Sequence, residues 1–131
     1  MIKKNQTYTY IRARLLEYNE NVFCTNDRIY ASSRFPTVEI REISAVPTRE
    51  NIDLSDNAYR ITWEVTAYSD KSSGAAEEAY NLVRVCEDAF NSIGFRMTMN
   101  APTENTKEVT IKRHTARFTR VICSDDEITA M

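Results

Sequence analysis

The chain has 131 residues, 42% of them hydrophobic, which is enough for one compact core and short for two. Nineteen acidic and seventeen basic residues leave a formal charge of −2, so no overall positive field exists to hold a nucleic-acid backbone or an anionic membrane. Two glycines and three prolines argue against glycine-rich phosphate loops and against long flexible linkers.

At the N-terminal end, Lys3 and Lys4 are followed by Asn5, Gln6 and Thr7 in place of an apolar signal core, and no later segment reaches membrane-spanning length. The expectation is a protein made in the cytosol without membrane contact. The spacing of Tyr8, Ile11, Leu15 and Tyr18 predicts a helix over residues 6–18, with Arg12 and Arg14 turned away from the shared stripe. Glu17 and Glu20 follow at once, so this stripe suits packing on a sheet better than a membrane surface. Residues 22–25 and 28–31 read as short extended pieces around the turn-like Asn26-Asp27. Pro36 then opens, and Pro47 closes, the strand "TVEIREISAV", where Val38 and Ile40 alternate with Glu39 and Arg41. The polar "PTRENIDLSDN" suits a long hairpin arm placed to contact another chain.

The next stretch changes rhythm. Tyr59, Ile61, Trp63, Val65 and Ala67 face one way and Arg60, Thr62, Glu64 and Thr66 the other, the pattern of a half-buried strand with Trp63 in the core. From Ala75 the recurrence lengthens to three and four, giving Ala75, Ala79, Leu82, Val83, Cys86, Ala89, Phe90 and Ile93 as the buried stripe of a helix stopped at Gly94. Phe95, Met97 and Met99 alternate with Arg96 and Thr98 in a further strand, and "NAPTENTKE" reads as a second polar loop. In "VTIKRHTARFTRVIC" the apolar phase is odd at Val109 and Ile111 but even at Ala116, Phe118 and Ile122, which predicts a bulge near Arg113 to Thr115. The order implies a single α+β domain over residues 1–123, a mainly antiparallel sheet with two helices packed on one face, and a flexible acidic tail over 124–131.

Chemistry is sparse. His114 is the only histidine, so a two-histidine metal site within one chain is excluded, and its cationic neighbours in "KRHTAR" favour a neutral, solvated imidazole. Three widely spaced cysteines, Cys24, Cys86 and Cys123, form neither a disulfide framework nor a CxxC pair and read as reduced, mostly buried thiols. Glu77 and Glu78 suit the first turn of a helix by charge alone, and Asp125, Asp126 and Glu127 lack the spacing of a calcium loop. No enzyme activity, metal or cofactor is implied. The run Lys112, Arg113, Arg117 and Arg120 around Phe118 has a superficial likeness to a base-stacking strand, but Glu108 and the acidic tail flank it, and Phe118 falls in the apolar phase. What stands out is the density of charge on strands, at Glu39, Arg41, Arg60, Glu64, Arg96, Lys112, Arg113, Arg117 and Arg120. A solvated sheet face and a subunit interface of complementary charges both account for it.

With "FPTVEI" ahead of a polar loop, "YRITWEVTAYSDKSSGAAEEAYNLVRVCEDAFNSIGF" as a strand feeding a long helix, and "RHTARFTRVI" after the "NAPTENT" loop, the chain resembles the small tail terminator (tail completion) proteins of long-tailed bacteriophages over residues 1–123. Related head-tail joining, neck and tail-tube proteins share the look. The resemblance implies a structural virion protein that forms a ring, usually a hexamer, at the head-proximal end of the tail tube after assembly in the host cytoplasm. Such a ring ends tube polymerisation and offers a surface to the head-completion or connector protein. Its implied partners are further copies of itself, the tail tube protein and that connector, with DNA passing through the lumen without specific binding. Charge and loop position alone select the interface candidates: Arg49, Glu50, Asp53, Arg60, Glu64, Glu104, Lys112, Arg113, Arg117 and Arg120.

Overall fold

Strands and helices form where the alternation and the helical stripe require them. The computed structural model describes residues 4–26, 35–47, 58–103 and 111–123. In chain order it contains α1 (Lys4–Tyr18), β1 (Phe23–Thr25), β2 (Thr37–Pro47), β3 (Ala58–Ser69), α2 (Ala75–Ser92), β4 (Arg96–Thr103) and β5 (Lys112–Cys123). The strands make one five-stranded sheet in the order β1-β2-β3-β5-β4. Three of its pairings are antiparallel, and the two helices lie on one face, the expected α+β architecture. The exception is β1, which pairs parallel with β2, from Phe23 opposite Thr37 to Thr25 opposite Glu39. Residues 28–31 lie outside the described residues, and the Phe35–Pro36 peptide bond just before β2 is cis.

Because β3 and β4 both run antiparallel to β5, they point the same way, with β5 inserted between them. The helix α2 is therefore the crossover of a split β-α-β unit, which is what the strand-then-helix sequence at Tyr59 to Tyr80 encodes. Its predicted stripe is buried throughout, from Ala75 to Ile93. Phe90 stacks on Phe118 of β5 at 4.6 Å between ring centroids and meets Trp63 of β3 at 6.1 Å. Around these rings close Val38, Ile40, Ile61, Val65, Ala67, Ala116 and Ile122 from the sheet. The first helix packs chiefly on α2 and touches the sheet at β2. Ile11 and Leu15 are buried as their spacing demands, but Tyr18 is exposed and Thr7 takes a buried place instead. Tyr10 Oη lies 2.7 Å from Ser92 Oγ and ties the two helices together.

Two register predictions need correction. The β5 strand has no bulge: every residue from Lys112 to Cys123 faces a partner on β3 in unbroken succession. Ile111 precedes the strand, so its odd phase does not enter the ladder, and Val109 lies outside the described residues. The bulges fall on the outer neighbours, between Glu42 and Ser44 of β2 and between Met97 and Met99 of β4. The second shift turns Met99 to the opposite face from Met97, and β4 runs on through Asn100 to Thr103, absorbing part of the predicted loop.

The end of α2 is fixed by backbone geometry. Gly94 has φ +88°, the left-handed region that glycine enters without a Cβ penalty. Phe95 N–H donates to Phe90 C=O at 3.0 Å and Gly94 N–H to Asn91 C=O at 3.1 Å, the two bonds of a Schellman stop, with the Phe90 and Phe95 rings 5.2 Å apart. Arg120 Nη1 donates to Ile93 C=O at 2.6 Å, satisfying another helix-end carbonyl. A Cβ on Gly94 would lie 3.1 Å from Arg120 Nε. Gly94→Ala is therefore expected to lower unfolding stability by about 1–2 kcal/mol, measured by urea titration, because it adds left-handed strain and displaces the arginine.

Candidate functional site

The sheet has a second face, and among the described residues no helix lies on it. Register alone assigns its members. Down the β3–β5 pair the rungs are Arg60–Val121, Thr62–Thr119, Glu64–Arg117, Thr66–Thr115 and Tyr68–Arg113. Alternate residues of β2 and β4 extend these rungs sideways, so that Val46, Ser44, Arg41, Glu39 and Thr37 flank β3, and Arg96, Met99 and Ala101 flank β5.

Each central rung is bonded across the strands. Thr62 Oγ1 lies 3.1 Å from Thr119 Oγ1, and Thr66 Oγ1 lies 3.2 Å from Thr115 Oγ1. Between them Arg117 Nε donates to Glu64 Oε2 at 2.9 Å, and Arg41 Nη2 donates to Glu64 Oε1 at 3.4 Å from the other side. Arg41 also pairs with Glu39, Nε to Oε1 at 2.5 Å, so four charges of alternating sign form one chain across three strands. Tyr68 Oη donates to the other oxygen of Glu39 at 3.4 Å, while the Arg113 guanidinium sits 5.9 Å from the Tyr68 ring centroid. Burial first, and the Glu39 carboxylate second, push the Tyr68 phenol above its ordinary pKa, so it remains a donor at neutral pH.

Of the sequence-selected candidates, Arg60, Glu64, Arg113 and Arg117 come together on this face. Lys112 and Arg120 do not: strand alternation turns both to the helix-covered side, where Arg120 bonds the end of α2 and Lys112 borders a shallow depression of ≈ 560 Å³ beside Lys71, Ser72 and Ala75. Arg49, Glu50, Asp53 and Glu104 lie outside the described residues. The candidate set omitted Glu39, Arg41 and the paired threonines. Their signal was present, since Glu39 and Arg41 share the phase opposite to Val38 and Ile40, but only register shows that the threonines meet.

His114 departs from its solvated expectation. It points to the helix side, buried, with Nε2 hydrogen-bonded to Asn100 Oδ1 and the Tyr80 ring packed edge-on at 5.3 Å. Cys86 is buried and Cys24 half-buried, both thiols free, and burial pushes Cys24 up to about 11 and Cys86 higher still, so neither is a thiolate at neutral pH. Among the described residues no group of three His, Cys, Asp or Glu side chains could hold a metal, and no helix is long and apolar enough to cross a membrane. No protein-family model matches the chain, and a comparison with curated proteins finds no match.

Two measurements check these surroundings. The Glu64 side chain is only 17% exposed and bonds two arginines, whereas Arg117 is 47% exposed. Glu64→Gln should therefore cost about 1–2 kcal/mol in urea unfolding and Arg117→Ala less than about 1 kcal/mol. Burial holds the His114 imidazole below its ordinary 6.5, so the unfolded chain takes up the proton first as pH falls. Stability from this residue is present above about pH 6.5 and is lost as pH drops through the folded-state value. Wild-type urea midpoints should fall more steeply than those of His114→Gln between about pH 7 and pH 5.

Proposed function

We propose that this protein is a structural subunit of a long-tailed phage virion, assembling as a ring, a hexamer, at the head-proximal end of the tail tube. There it stops addition of tube protein and presents a surface to the head connector. The observation that carries the reading is the second sheet face: an ordered lattice of cross-strand ion pairs and threonine pairs that no described helix covers. Such a surface holds its side chains in fixed places before a partner arrives, which lowers the ordering cost of association. The sequence pattern over residues 1–123 supplies the phage context, and the sheet supplies the surface.

A terminator needs two unlike faces, one that fits the last tube ring and one that refuses a further tube subunit. A ring whose subunits are related by rotation alone has two unlike ends, which meets that need. Near-neutral overall charge suits a lumen that lets DNA pass without holding it.

Electron microscopy of tail tubes assembled with and without the protein tests this. Tubes of limited length with one capped end are the expected outcome, and Arg117→Glu should reduce the capped fraction. Tubes that grow without limit in its presence would reject the terminator reading, and incorporation along the tube wall would assign it to the tube itself.

A further inference from the structure

We infer that the second sheet face of one copy docks on the outer surface of α2 of another copy, head to tail. This rests on the ring reading for its occupant and on charge and exposure for its surfaces. Among the described residues the sheet face gathers five arginines, Arg41, Arg60, Arg96, Arg113 and Arg117, against two glutamates, Glu39 and Glu64. Charge of the opposite sign stands on α2, which carries Glu77, Glu78, Glu87 and Asp88 against Arg84 alone. Glu77 and Asp88 are exposed on the face of α2 opposite its buried stripe, with the exposed Arg84 between them.

The geometry of the basic face favours a protein partner. At one end Arg60 lies between Val46, 52% exposed, and Val121, 36% exposed, so a cation is set in an apolar frame across three adjacent strands. Apolar surface around a charge is what a packed interface uses to exclude water from an ion pair, and a simply solvated face has no need of it. A phosphate backbone fits less well, because Glu64 and Glu39 stand in the middle of the face and already engage Arg41 and Arg117. Self-pairing of two sheet faces would set arginines against arginines. Matching the basic sheet to the acidic helix instead joins opposite sides of the protomer, which is a heterologous contact. Such a contact closes into a ring when each step turns by the right angle and continues as a filament when it does not.

Light scattering from about 1 μM to about 1 mM, with negative-stain microscopy of the same samples, tests the docking. The variants are R60E with R96E on the sheet, E77K with D88K on the helix, and all four changes in one chain, each checked for wild-type circular dichroism and urea midpoint. Either pair should weaken association at least about tenfold, and the fourfold variant should recover most of it. Wild-type rings that survive both reversals would overturn the docking and leave the ring reading intact. Filaments that the reversals abolish and the fourfold variant restores would support the docking and remove the ring. A wild type that stays monomeric throughout, in solution and with tail tubes, would overturn both. Salt-sensitive binding of duplex DNA that R60E with R96E abolishes would give the face to nucleic acid and reject the proposal, as would association that appears only after residues 124–131 are deleted.

Discussion

Phe90 is the side chain on which the other elements are aligned. Its ring lies nearly parallel to Phe118, with 12° between the planes, tilts against Trp63 and meets Phe95 edge-on. Three of these partners belong to β3, to β5 and to the turn that launches β4, so one helical position registers the crossover against the strands it bridges. The same residue offers its carbonyl to Phe95 N–H, which means that the hydrophobic contact and the helix stop are one piece of geometry. Arg120, reaching from β5 to Ile93 C=O, locks that corner from the sheet side.

Division of labour between the two sheet faces follows from this arrangement. On the helix side, shape decides, and the residues are aromatic and branched. On the other side, the central strands meet through hydroxyl pairs and alternating charges, each individually worth a few tenths of a kcal/mol to about 1 kcal/mol. Their collective effect is order: rungs such as Thr66–Thr115 and Glu64–Arg117 tie side chains of the two strands to each other across the pair.

How much of this was legible beforehand depended on the range of the interaction. The Tyr59 strand, the α2 stripe and the Gly94 stop were readable because each is governed by a local period or a backbone preference of one residue. The parallel pairing of β1 was not, since nothing within Phe23–Thr25 records its neighbour's direction. Bulges were misplaced for a related reason. An irregular phase at Val109 and Ile111 looks the same whether a strand kinks or has not yet begun, and only the pairing on β3 distinguishes the two. The charged strands were visible as an anomaly, yet alternation puts Lys112 and Arg120 on the opposite side from Arg113 and Arg117, so a list made by charge alone mixed two faces. His114 misled in the same manner: its flanking cations lie along the chain, while Tyr80 and Asn100, which determine its surroundings, come from other elements.

The two bulges flank one rung. The β2 shift flanks Trp63 and Thr62, the β4 shift flanks Phe118 and Arg117, and Trp63 faces Phe118 directly across the central pair. Both outer neighbours of that straight pair thus carry their extra residue next to this rung, on opposite sides of it, and bulged strands bend and coil most strongly at such places. At that rung the aromatic rings lie on one side of the sheet and the Glu64 carboxylate on the other. Bulges add bend and twist where they fall, and any assembly built from this molecule would repeat that pair of irregularities once per copy.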